Sequence, residues 1–170
     1  MRTLLLHVED DDAMAIVFRA AVEEADIETS IFHVSDGERA LDCLRRGTIR
    51  PDLVFLDLNM PRVDGWQVLT AMRADENLRA IPVVVLSTSF REMDKDRAYR
   101  LGAMHYITKP FSFEALVIAV KSVYRNLLAT GPRVSALRCS SGGSCGQTDG
   151  PGFSLTLIQS PSLFWWLCRF

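Results

Sequence analysis

Val54-Phe55-Leu56-Asp57-Leu58-Asn59-Met60-Pro61 is the stretch on which the fold turns. Its three leading apolar residues read as a buried strand, Asp57 stands where that strand should end, and Met60-Pro61 break the pattern before a helix can begin. A carboxylate at the edge of a buried strand calls for a chemical reason, and the neighbouring segments narrow what that reason can be.

Working outward, the strand-then-helix pattern repeats on both sides. Upstream, Thr3–Val8 is almost wholly apolar, as suits a parallel strand covered on both faces, with His7 read as a packed strand histidine. Glu9, Asp10 and Asp11 follow, and residues 13–25 then carry Met14, Val17, Phe18, Ala21 and Val22 at helical spacing. Thr29–Val34 is a second strand. Ser35-Asp36-Gly37-Glu38 fits a capping box in which Ser35 caps a helix running to about residue 46 and Glu38 reaches back, with Gly47 at its end.

Downstream, Val63-Asp64-Gly65 turns into a helix over 66–74, and Val83-Val84-Val85-Leu86 is a fourth strand closed by Ser87-Thr88-Ser89. A helix over 93–101 stops at Gly102, a short fifth strand His105-Tyr106-Ile107 ends in Thr108-Lys109-Pro110, and Ser112 caps a last helix striped by Leu116, Val117, Val120, Val123, Tyr124, Leu127 and Leu128. Five strands alternating with five helices predict an α/β fold over residues 1–128, a doubly wound parallel sheet with right-handed crossovers and helices on both faces.

Composition excludes several function classes. The chain of 170 residues has a net charge of -2 and no dense Lys/Arg run, which disfavours nucleic acid as a partner. Cys43, Cys139, Cys145 and Cys168 share no zinc-type spacing with His7, His33 and His105 and read as free thiols in a reducing compartment. The apolar run at the N-terminus is too short for an export signal, and no run is long enough to span a membrane, so a cytoplasmic location is expected.

From Thr130 the composition changes. Residues 129–152 read as a Gly/Ser/Pro linker and 153–170 as an apolar tail. The tail is expected to be disordered or loosely packed, with a contact segment for a partner or membrane surface as the alternative. Too little chain follows residue 128 for a typical DNA-binding output domain.

In a parallel sheet ordered 2-1-3-4-5, the residues just past the strand ends share one edge. Glu9, Asp10, Asp57, Ser87 and Lys109 collect there, at the switch point between the first and third strands where such folds bind ligands. Clustered acids ask for a cation, and Mg²⁺, or Mn²⁺ in its place, suits an all-oxygen set of Asp10, Asp57 and a backbone carbonyl just beyond Asp57. Lys109 adds a point charge for a phosphoryl oxygen and Ser87 a hydroxyl donor. Together they outline in-line attack by Asp57 on phosphorus, with an acyl phosphate as product.

Val8-Glu9-Asp10-Asp11, Leu56-Asp57-Leu58-Asn59-Met60-Pro61 with Asp64-Gly65, Leu86-Ser87-Thr88 and Tyr106-Ile107-Thr108-Lys109-Pro110-Phe111 resemble the receiver domain of two-component response regulators. The wording of Leu86-Ser87-Thr88-Ser89 and of residues 102–111 is most similar to stand-alone regulators of bacterial phytochrome-type kinases. The resemblance implies Asp57 as phosphoacceptor, Asp10 as a direct Mg²⁺ ligand, Glu9 acting through water, and Asn59 lending its main-chain carbonyl. It further implies Ser87 and Tyr106 as the switch pair, Lys109 as the phosphate-binding lysine, and Asn59 with Ser89 as residues that tune hydrolysis. Lys109-Pro110 becomes a candidate cis bond. The implied partners are a sensor histidine kinase, a downstream protein target, and a second copy through the face of the fourth helix, fifth strand and fifth helix, where Phe113 lies.

Two rivals weaken on particular residues. A phosphatase of the haloacid dehalogenase type needs a second Asp two positions after the nucleophile, where Asn59 stands. A flavodoxin-like module would bind a flavin phosphate after the first strand, where Glu9, Asp10 and Asp11 repel it.

Overall fold

The computed structural model describes residues 3–130, with side chains to residue 126. The tail expected over 153–170, all of the expected linker beyond residue 130, and Cys139, Cys145 and Cys168 lie outside the described residues.

β1 (Thr3–Val8), β2 (Thr29–Val34), β3 (Leu53–Leu56), β4 (Val83–Ser87) and β5 (His105–Thr108) form one parallel sheet in the order β2-β1-β3-β4-β5. The connections carry α1 (Asp12–Glu24), α2 (Gly37–Arg45), α3 (Gly65–Ala74) and α4 (Glu92–Arg100), and α5 (Phe113–Thr130) follows β5. The doubly wound sheet expected from the alternation of elements is the one observed, and α5 runs past the expected boundary at residue 128.

Strand side chains alternate between two cores, because neighbours along a strand point to opposite faces. Leu6, Val8, Val54, Leu56, Val83 and Val85 pack with Leu41 and Leu44 of α2, Val68, Leu69 and Met72 of α3 and Ala98 of α4. Leu5, Leu53, Phe55, Val84 and Leu86 pack with Phe18 and Val22 of α1 and Leu116, Val120 and Val123 of α5. β3 is buried at every position, which is why its sequence shows no polar break. Each fully buried Leu, Val or Phe contributes roughly 1.5–3 kcal/mol, so these two layers, rather than strand propensity, hold strands of only four to six residues.

The helix starts differ from expectation. Asp36, not Ser35, caps α2, accepting from the Arg39 N–H at 2.8 Å. Both residue types cap well, but the carboxylate also meets the helix dipole and lies 3.5 Å from the Arg62 guanidinium, which decides between them. α3 begins one residue early behind a reciprocal capping box. Gln67 N–H donates to Asp64 at 2.8 Å, and Asp64 N–H donates to the Gln67 side chain at 3.1 Å. Asp11 caps α1 through the N–H groups of Ala13 and Met14. Gly47 and Gly102 take positive φ at helix ends, as expected.

His7 is buried in the α1/α5 core, its ring stacked on Phe18 at 4.0 Å between centroids. Neither ring nitrogen has a hydrogen-bond partner. Burial, followed by the charges of His33, Lys109 and Arg19, pushes its pKa down to about 3. The folded-state value lies below the ordinary 6.5, so the neutral ring's contribution to stability is complete above pH 6.5 and is lost as pH falls toward 3. The wild type is therefore expected to lose stability relative to His7→Phe by roughly 1 kcal/mol per pH unit once the pH drops below that of free imidazole. Urea midpoints over a pH series measure this, and a stability difference that does not vary with pH contradicts it.

Candidate functional site

The site begins as a continuation of the sheet ladder. Glu9 N–H donates to the Val34 carbonyl at 3.1 Å, Asp57 N–H to Val8 at 2.9 Å and Lys109 N–H to Ser87 at 2.7 Å. Each of these residues lies just past the end of its own strand and is held by the last carbonyl of the adjacent one. Backbone pairing thus delivers all three side chains to the carboxyl edge of the sheet, where ligands bind in folds of this kind.

The turn after β3 is equally constrained. Gly65 opens α3 directly over the strand end, its N–H donating to the Leu58 carbonyl at 3.1 Å. A Cβ at this position would collide with the Asp57 carbonyl oxygen and lie 2.7 Å from Leu58 Cα. Both obstacles are backbone, so the helix can begin here only on a glycine.

Lys109 joins the acids. Its Nζ donates to Asp57 Oδ2 at 2.8 Å and to Glu9 Oε1 at 3.0 Å. Glu9 Oε2 lies 2.7 Å from the same nitrogen, so the ammonium meets both oxygens of this carboxylate. Glu9 and Asp57 are buried, whereas Asp10 is exposed at the mouth. One carboxylate oxygen from each of the three lies within 4.8 Å of the others.

Burial is the main reason that the Glu9 pKa rises, to about 7, and the Asp57 charge adds to it, while the hydrogen bond and charge of Lys109 oppose it. Burial alone would lower Lys109. The hydrogen bonds and charges of Asp57 and Glu9 outweigh that, so its ammonium is held above the usual range.

These residues fit a hard divalent cation. Three carboxylates gather beside a single ammonium, which leaves the cluster short of positive charge. An all-oxygen donor set that includes an exposed acid at the mouth suits an ion that keeps part of its water shell, as Mg²⁺ does.

The remaining expected residues gather at the same edge. Asn59 N–H donates to Asp57 Oδ1 at 3.1 Å, and its side-chain amide donates to Thr88 Oγ1 at 3.1 Å. Ser87 is fully buried, and its Oγ accepts from the Ser89 N–H at 3.2 Å. Tyr106 OH donates to the Ser89 carbonyl at 2.8 Å. Beside them opens a cleft of about 350 Å³ lined by Asn59, Thr88, Ser89, Phe90, Arg91 and Asp94.

Two points differ from the sequence reading. The Lys109–Pro110 bond is trans, there being no cis peptide among the described residues. Trans is the lower-energy form even before proline, and Lys109 reaches both acids from it. Asp94, which accepts from Ser89 Oγ at 2.5 Å, was not singled out. Its spacing of five residues matches no capping motif, so nothing in the sequence marks it.

The family pattern described as the response regulator receiver domain matches residues 5–121. The probable methanogenesis regulatory protein FilR2 of Methanothrix harundinacea is 42% identical over 124 residues, which cover 71% of this chain and 80% of that protein. The chain spans about half the length of two other relatives, both transcriptional regulators. Among solved structures, the phosphorylated cyanobacterial phytochrome response regulator RcpA is similar with a TM-score of 0.70 and 36% identity, over 76% of this chain and 96% of that one. The Mn²⁺-bound form of response regulator Rcp1 is similar with a TM-score of 0.65 and 32% identity, over 71% of this chain and 91% of that one.

A divalent ion held by the acidic trio should stabilise the fold by mass action. At Mg²⁺ about tenfold above its Kd the gain is about 1.4 kcal/mol, read as a rise in Tm. Asp10→Asn is expected to remove most of that rise. Asp11→Ala should lower Tm through loss of the helix cap, about 1 kcal/mol, and leave the Mg²⁺ increment intact. Equal Mg²⁺ responses in the two variants would contradict the assignment of Asp10.

Proposed function

Because the chain belongs to the response regulator receiver family, we propose that it accepts a phosphoryl group from a sensor histidine kinase on Asp57 and relays the signal through a changed partner-binding surface. The observation that carries this reading is the buried Asp57 carboxylate, held by the Lys109 ammonium at 2.8 Å within an acidic trio. The family's occurrence in a phosphorylated form, as in RcpA, and in a Mn²⁺-bound form, as in Rcp1, supports it.

In the proposed reaction an Asp57 oxygen attacks phosphorus, the bond from phosphorus to the donor histidine nitrogen breaks, and that nitrogen keeps the electron pair. Asp57 begins tethered, Oδ1 by the Asn59 N–H and Oδ2 by Lys109, so its orientation is fixed before the donor arrives. Asp10, Asp57 and the Asn59 carbonyl would hold Mg²⁺, with Glu9 acting through water. When bound, the ion offsets charge on the phosphoryl oxygens. Lys109 would release part of its hold on the acids to meet a phosphoryl oxygen.

The acyl phosphate adds charge and three acceptor oxygens at the sheet edge. Ser87 would turn its hydroxyl to one of them, and Tyr106 would move in response. The face of α4, β5 and α5 then changes for the downstream target or a second copy. Asn59 and Ser89, at the mouth of the cleft, would tune hydrolysis, with water cleaving the bond between phosphorus and the Asp57 oxygen. Asn59 cannot act as acid and base, so slow single labelling rather than turnover is the expected behaviour. The likeness to RcpA favours a phytochrome-type kinase, in the cytoplasm, as phosphodonor.

Acetyl phosphate with Mg²⁺ is expected to add the mass of one phosphoryl group to the intact protein, and Asp57→Asn or chelation of the metal should abolish it. Labelling that persists in Asp57→Asn, or rapid multiple turnover of a phosphomonoester, would overturn the proposal.

A further inference from the structure

We infer that Asp94 is a positioning residue for the switch, a clamp on Ser89 that holds the loop after β4 against the rearrangement that phosphorylation brings about. The inference rests on the reading of Asp57 as phosphoacceptor.

Both hydroxyls of the proposed switch converge on Ser89 by way of its backbone. Ser87 Oγ accepts from the Ser89 N–H at 3.2 Å, and Tyr106 OH donates to the Ser89 carbonyl at 2.8 Å. The Ser89 side chain is engaged elsewhere. Its Oγ donates to Asp94 Oδ2 at 2.5 Å and accepts from the Arg91 N–H at 3.4 Å. One residue therefore ties together the end of β4, β5 and the first turn of α4.

These ties are unequal. The contact to Ser87 is long and between neutral groups, whereas the contact to Asp94 is short and charge-assisted, a class about twice as strong. When Ser87 turns to a phosphoryl oxygen, the Ser89 N–H loses its acceptor, and the loop loses its tie to the Ser87 side chain. The loop is then freer to shift on its remaining ties, to Tyr106 and to α4. Asp94 opposes the shift, since keeping its bond to Ser89 Oγ keeps Ser89 in place.

The helix that carries Asp94 makes the clamp consequential. Ala98 is the only buried residue of α4, and its N-cap, Arg91, makes no side-chain capping bond. Little apolar packing fixes the start of this helix, and Ser89 Oγ meets it twice, at Asp94 Oδ2 and at the Arg91 N–H. Only a contact that differs between two states can move the balance between them. On this inference the clamp is such a contact, made here in the geometry where Ser87 faces Ser89.

The test is a titration with beryllofluoride and Mg²⁺, which stand in for the acyl phosphate, followed by NMR on the wild type, Asp94→Ala and Asp94→Asn. Asp94→Ala removes the acceptor and is expected to bind beryllofluoride on the order of three- to tenfold more tightly. Its Tyr106 ring signals should lie nearer the bound positions before any ligand is added. Asp94→Asn loses the same charge at the helix start but keeps an acceptor oxygen, and should fall back toward the wild type. Urea midpoints confirm that each variant is folded. An affinity of Asp94→Ala equal to or weaker than the wild type, or equal to that of Asp94→Asn, overturns the clamp while leaving the phosphoacceptor reading standing. A wild type that gives no response to beryllofluoride overturns that reading and the clamp with it.

Discussion

One ammonium shared between two buried carboxylates is the interaction on which the rest of this site depends. Lys109 comes from the edge strand β5, yet its nitrogen meets Asp57 from β3 and Glu9 from β1. Reaching the centre of the sheet means crossing the end of β4, and neighbouring strands lie about 4.8 Å apart. What stands at that end is Ser87, small and fully buried. Its carbonyl accepts from the Lys109 N–H at 2.7 Å, so the residue proposed to sense phosphorylation also anchors the backbone from which the lysine reaches the acids. The strand order is thus a chemical requirement as well as a topological one.

The arrangement is poor for stability taken alone. Burying Glu9 beside Asp57 raises its pKa to about 7, and a single ammonium cannot offset three clustered acids. The two apolar layers on either side of the sheet hold the strand ends in register regardless. That division of labour has a functional consequence. A site whose acids were already fully compensated would gain little from a cation, and the excess negative charge is what makes a divalent ion favourable there. In the proposed reaction the cation and the phosphoryl group would depend on one another, since the phosphoryl oxygens would enter among the same carboxylates and need that charge offset.

Much of this could be read from the sequence, for reasons that differ by residue. β3 and β4 were legible because both of their faces are covered, which leaves unbroken apolar runs. Asp57, Glu9 and Lys109 were legible because each directly follows a strand, and a parallel sheet sends all such residues to one edge. The cap of α2 was misplaced because Ser35 and Asp36 are both good caps, and only the fold brings Arg62 up to the second of them. The cis bond before Pro110 was expected from the family resemblance alone, while an X–Pro peptide itself favours trans by about 0.5–1 kcal/mol, and the local sequence carries nothing that reverses this.

Ser89 shows where sequence reading stops. Its side chain could be named as lying at the mouth of the site, but its place between Ser87 and Tyr106 is made by its N–H and C=O, groups that nearly every residue carries and no sequence pattern reveals. The two hydroxyls proposed as the switch, of Ser87 and Tyr106, sit on adjacent strands and are joined by Ser89 lying just beyond the strand ends. Displacing that backbone affects both hydroxyls together, with no need for either to push the other through packed side chains. A coupling of this kind is as stiff as the loop that carries it, and the loop is as stiff as its hold on α4. The strength of the response would then be set where the helix begins, one step removed from the phosphoryl group itself.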